Sequence, residues 1–129
     1  MTTGPQDGVP EELLFTNSYR GSMVWKTSEL RTFRARLFNK IDENDFKDKN
    51  GKFYEWASDV FIQEPLIELA SQGHYHHFYE IVYFYDWNFD RSTVYKRRHY
   101  RDIAWCQTPY KPLKSLDDDA EKVENYKIP

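Results

Sequence analysis

The sequence predicts a mostly α protein: a small helical-hairpin core with extended N- and C-terminal arms. Three observations predict it. Apolar residues recur three and four apart through the middle of the chain, as a one-faced helix requires. Residues 1–26 and 108–129 lack that period and carry prolines, glycines and charges instead, so they are expected to be an arm and a charged tail around a core at 27–107. Finally, the stretch from Gly73 to Cys106 holds all four histidines, the single cysteine and two of the four tryptophans. It is apolar and aromatic over 74–87 and basic over 91–101, where Arg91, Lys96, Arg97, Arg98 and Arg101 stand with no acid among them. An apolar half turned inward and a basic half turned to a polar partner make this the stretch around which the rest is expected to organise.

The elements follow in order. Gly4, Pro5, Gly8 and Pro10 predict an extended start, and Glu11 to Phe15 one helical turn with Leu13, Leu14 and Phe15 as an anchor. A loop around Gly21 leads to a helix capped by Thr27 or Ser28, with Leu30, Phe33, Leu37 and Ile41 as its apolar stripe. The segment DENDFKDKNGK, residues 42–52, is a loop; in EF-hand register with Gly51 sixth, Phe46 and Ala57 fall at ligand positions, which excludes that calcium site. Phe53 to Ile62 is expected as the second helix, ended or restarted at Pro65, with a C-cap at Gly73. Residues 74–87 read as helix from Tyr75, Phe78, Tyr79, Val82 and Tyr85, although their residue types favour strand. Asp90 or Ser92 caps a last helix to about Cys106, with Tyr95, His99, Ile103 and Cys106 on one stripe, and these two helices form the hairpin.

Composition narrows the function classes. At 129 residues the chain is one domain with arms. Aromatics make up 18%, so they must supply much of the buried area and suit interfaces. A net charge of −3 argues against a general polyanion binder. One cysteine makes no internal disulfide, and no apolar run approaches the ~20 residues of a membrane span. The opening MTTGPQDGVPEELLF has the features of neither a secretory signal nor a transit peptide.

Four constellations could carry chemistry. His76 and Glu80, four apart, could share a metal with His99 or Cys106, but neither HExxH nor paired CxxC is present, so no metal and no cofactor is expected. Cys106 sits near a helix C-terminus, where the dipole disfavours a thiolate. No carboxylate pair stands out for hydrolysis. Lys96 to Arg101, KRRHYR, could meet phosphates, acidic protein or anionic lipid heads; the net charge and the absence of a nucleic-acid-binding signature rank protein or lipid first. With no nucleophile, base and orienter in sight, the chain is expected not to be an enzyme.

The run Tyr100-Arg101-Asp102-Ile103-Ala104-Trp105-Cys106, after Lys96, Arg97 and Arg98, resembles the segment before the first helix cysteine in the PDSW accessory subunit family of mitochondrial respiratory complex I. Glu64-Pro65-Leu66 is similar to that family's acid-Pro-aliphatic start. The resemblance implies a soluble accessory subunit of NADH:ubiquinone oxidoreductase, peripheral to the inner membrane on the intermembrane-space side. The expectation is therefore a non-catalytic accessory or scaffold subunit bound to other protein subunits. Its partner-binding residues would be Leu13, Leu14, Phe15, Lys96, Arg97, Arg98, Arg101, Trp105 and Tyr110, with Leu113 and Tyr126 of the tail also buried against other chains. Two alternatives stand beside it: an RNA-binding or ribosomal accessory protein, and a small soluble inhibitor or ligand-binding module.

Overall fold

A proline sits in the middle of the longest helix of this protein. The computed structural model describes residues 7–25, 31–80 and 90–128. The chain is mostly α: α1 (Glu11–Phe15), α2 (Tyr19–Ser22), α3 (Ala35–Phe38), α4 (Ser58–Ala70) and α5 (Val94–Trp105), with 3₁₀ turns at Glu43–Phe46 and Arg91–Thr93. No strand occurs among the described residues, only two isolated antiparallel bridges, Lys47 to Phe53 and Tyr110 to Lys122.

α4 is the organising element, which corrects the expectation that the 73–106 stretch would be. Eight of its residues, from Val60 to Leu69, are buried. A helix covered on all sides belongs at the centre of a domain. Each of its faces takes one cluster. Leu66 and Leu69 pack with Ile41, Tyr110 and Leu113. Ile67 packs with Val9, Leu14 and Tyr19. Val60 and Phe61 pack with Ala104 and Trp105 of α5.

Pro65 neither ends nor restarts the helix; α4 runs straight through it. Proline deletes one backbone hydrogen bond and crowds the preceding turn, at about 3 kcal/mol. Burial of Leu66, Ile67 and Leu69 just beyond it outweighs that loss. The start of the helix is also corrected. Phe53 to Ala57 is irregular, and Ala57 takes a left-handed φ of 58° at the N-cap. Gly73, at φ 85°, follows the C-terminus as expected, and the amide of His74 bonds to Ala70 O at 3.1 Å.

The helix expected from Thr27 or Ser28 to Ile41 is reduced to the single turn α3; residues 26–30 lie outside the described residues. Short helices are marginal without tertiary packing, and here only Leu37, Phe38 and Ile41 find the core. The helix expected over 74–87, one arm of the hairpin, is not seen in its described part. Residues 74–79 are not helical, and 81–89 lie outside the described residues. Edge-on ring contacts join His76 to Phe78 and His77 to Tyr79. Neighbours two apart meet on extended backbone, where side chains alternate with period two. α5 packs on α4 instead. Asp90 caps its 3₁₀ lead-in as expected, accepting from the Ser92 amide at 2.9 Å. Of the expected stripe, Tyr95, His99 and Cys106 are exposed and Ile103 is half-buried; Ala104 and Trp105 are the buried residues of the helix.

The two ends fold onto the core rather than extending from it. Val9 donates its amide to Tyr75 Oη at 3.3 Å. In the tail, Leu113 N bonds to Leu69 O of α4 at 2.9 Å, and Lys111 N to Glu121 O at 2.7 Å closes a hairpin-like return.

Candidate functional site

Two places gather polar chemistry. The first is buried where α2, α4, α5 and the tail meet. Arg20 grips Glu68 with Nε at 2.5 Å and Nη2 at 2.9 Å. Its Nη1 donates to Ala104 O at 3.0 Å and Gln107 Oε1 at 3.3 Å. Glu68 also accepts the Tyr110 amide at 2.8 Å. One helical turn earlier, Glu64 Oε1 accepts the Trp105 indole N–H at 3.0 Å, while Glu64 Oε2 is buried with no hydrogen-bond partner. Tyr110 Oη donates to Asp45 Oδ2 at 2.6 Å and accepts the Asp42 amide at 2.9 Å. Lys122 pairs with Asp45.

One guanidinium thus faces two buried carboxyls. Burial disfavours the Arg20 cation, yet Glu68 beside it, helped by Glu64 and Asp45, leaves the guanidinium above its ordinary value. Burial pushes the Glu68 carboxyl up, against the pull of Arg20 and the Tyr110 amide. Burial also pushes Glu64 up to about 8, with Glu68 adding to the rise and Arg20 and the Trp105 N–H opposing it. Bidentate contact assigns the ion pair to Arg20 and Glu68, so Glu64 is the carboxyl that carries the proton at neutral pH. The cluster's polar atoms tie four segments together.

The second place is the outer side of α5. Lys96 Nζ lies 5.7 Å from the centre of the Trp56 ring, and the Arg101 guanidinium lies 4.8 Å from that of Trp105. Such seating holds a cation in place without neutralising it. Among the described residues Lys96, Arg98 and Arg101 make no ion pair. Between them Tyr95, 80% exposed, stacks on His99 with ring centres 6.5 Å apart. Asp102 is the helix's one acid.

Beside α5 lies an apolar groove of about 220 Å³ walled by Phe38, Phe46, Phe53, Tyr54, Phe61 and Ile62.

No protein-family model, curated protein or solved structure matches this chain. The chain's own geometry is what speaks to its role. No helix among the described residues is long and apolar enough to cross a membrane.

The expected partner-binding residues divide. Lys96, Arg97 and Arg98 are exposed, Arg101 is half-buried, and Phe15 is 81% exposed. Leu14, Trp105 and Tyr110 are corrected: the chain's own core uses them, and so does Leu113. Leu13 is half-buried against the Val9 and Leu14 cluster. Tyr126 is half-buried too, and its hydroxyl is inside without a partner. His76 and Glu80 are exposed, and among the described residues no three His, Cys, Asp or Glu side chains are placed to hold a metal. Cys106 is an exposed thiol at the C-cap of α5.

Sequence reading missed Arg20, Glu64 and Glu68. The signal was present: two acids four apart inside VFIQEPLIEL share one helical face amid apolar neighbours, and a buried acid requires a partner. Nothing local pointed to Arg20 as that partner.

Proposed function

We propose that this chain is a non-catalytic accessory subunit that docks onto other protein subunits of a larger assembly through the outer side of α5. The observation that carries the reading is that Lys96 and Arg98, both exposed on that side, make no ion pair among the described residues, on a chain whose net charge is −3. A chain with acids in excess has enough carboxylates to neutralise such a cluster. Leaving it unpaired, with Lys96 and Arg101 seated on indole rings, suits a partner that brings negative charge. The buried cluster is in keeping with the non-catalytic part, because its hydrogen bonds hold α2, α4, α5 and the tail together.

The resemblance of Tyr100 to Cys106 to the PDSW subunits makes a membrane-associated complex, with respiratory complex I foremost, the assembly to test first. There the chain would lie peripherally on the intermembrane-space side of the mitochondrial inner membrane. Anionic lipid heads beside such a complex would meet the same cations.

The test is co-migration on native gels. Wild-type chain should run with partner subunits, and the Lys96→Glu, Arg98→Glu double variant should run free while keeping its helical circular dichroism. A variant that co-migrates as well as wild type would overturn the reading.

A further inference from the structure

The apolar groove and the basic helix form one surface. Tyr54, a wall of the groove, stacks on Phe61 with ring centres 4.3 Å apart. The same ring meets Tyr100 of α5 edge-on at 5.9 Å. Tyr100 meets His99 at 5.5 Å, and His99 stacks on Tyr95. An unbroken series of aromatic rings therefore runs from inside the groove to the exposed side of α5. Lys96 crosses the same boundary, since its ammonium lies over Trp56, two residues beyond Tyr54. With 100° per residue, Lys96 and Arg98 flank the arc of α5 that carries Tyr95 and His99.

Size and charge select what this surface would hold. Sites that enclose a whole small molecule run to about 300–1,000 Å³. A groove of about 220 Å³ is smaller and suits a single bulky side chain. Apart from Ser58 its walls are phenyl, phenol and the sec-butyl group of Ile62, so that side chain is aromatic or leucine-like. Two other charges near the groove are paired. Glu55 pairs with Lys52 at 2.5 Å, and Lys47, seated over Phe53, pairs with Glu43 at 3.2 Å. Within the described residues Lys96 and Arg98 form no ion pair, and Glu55, the acid that Lys96 acts on, is already bonded to Lys52, so the complement they lack is carboxylate.

We infer that this surface takes an acidic segment of a partner protein, with one aromatic or leucine side chain seated in the groove beside Phe53 and Tyr54 and flanking carboxylates on Lys96 and Arg98. The inference rests on the docking reading above and names the kind of partner that reading requires. Exposed Phe53 and Tyr95 would be covered on binding, and aromatic anchors of this sort carry much of the energy of an interface.

The experiment is selection of peptides from a random display library on the full chain, followed by affinity measurement of the enriched peptides. Enriched sequences should place Asp or Glu on both sides of a Phe, Trp, Tyr or Leu. Their affinity should fall by about tenfold or more in Ile62→Trp, which fills the groove, and likewise in Lys96→Glu. Phe53→Ala, a change at an exposed wall, should weaken them too, which covers the case that Ile62→Trp disturbs the fold. Enrichment of neutral or basic peptides, no enrichment, or acidic peptides indifferent to Phe53→Ala and Lys96→Glu would overturn the inference. Such indifference together with loss of native co-migration in the α5 double variant leaves the docking reading standing. Selected peptides that need both sites, with co-migration unaffected by the double variant, support the groove's ligand and remove the docking reading.

Discussion

Arg20 and Glu68 stand 48 positions apart and form a two-pronged ion pair with both side chains 2% exposed. This contact joins the N-terminal segment to the central helix, and the Tyr110 amide on the same carboxylate joins the tail to it as well. Removing one partner leaves an uncompensated buried charge, a loss of about 3–5 kcal/mol. Arg20→Met should therefore lower the urea midpoint sharply. Pairing it with Glu68→Met should restore a large part of that loss. If the single variant matches wild type, the pair does not hold the segment.

Glu64 should make stability fall with rising pH. Its folded-state value of about 8 stands above the ordinary 4.5, so between those limits the folded chain holds a proton that the unfolded chain has released. The contribution is fully present below about pH 4.5, is lost as pH rises through 8, and declines in between by up to ~1.4 kcal/mol per pH unit. Glu64→Gln keeps an acceptor for the Trp105 N–H and has nothing to release. Its stability relative to wild type, from denaturant melts, should climb from pH 5 to pH 8 and then level. Parallel curves would contradict the assignment of the proton to Glu64.

Ala57 holds a left-handed φ of 58° where α4 begins. A non-glycine residue there is strained by roughly 1–2 kcal/mol. Ala57→Gly should raise the melting temperature, less any loss of the Ala57 methyl contact with the Phe61 cluster. An unchanged or lower melting temperature would mean that the methyl contact outweighs the strain.

The tail should be protected in the isolated chain. Leu113 N donates to Leu69 O inside the core, and Val123 N to Pro109 O within the return. Amide exchange at Leu113 should be slowed to nearly the level of α4, before any partner is added. Fast exchange at Leu113 that slows only on assembly would restore the view of the tail as a free arm.

How far the sequence could be read follows from where each signal arises. The mostly α class, the cap at Asp90, the end of α5 near Cys106 and the turn at Gly73 rest on local chemistry, and these are seen. The extents of α3 and α4 are set by packing. Pro65 reads locally as a breaker, but Leu66, Ile67 and Leu69 beyond it carry the helix on because two clusters close over them. The helical spacing of Tyr95, His99, Ile103 and Cys106 was legible, but the buried contact comes from Ala104 and Trp105, which that stripe does not include. The basic run was legible at the outer side of α5. The seating of Arg101 on Trp105 is a contact four residues apart within α5, whereas that of Lys96 on Trp56, and the groove beside it, depend on residues distant in sequence and have no local signature. Leu14, Trp105 and Tyr110 looked like anchors for other chains because their partners within this one are equally distant in sequence.

The most direct test of docking through α5 is a photo-crosslinking side chain placed at Tyr95, an exposed residue at the centre of that helix face, in the native assembly. The account predicts a specific crosslink to another protein subunit, with an acidic peptide at the site of attachment, and its loss in the Lys96→Glu, Arg98→Glu background. A chain that assembles fully while position 95 reacts with solvent alone would contradict it.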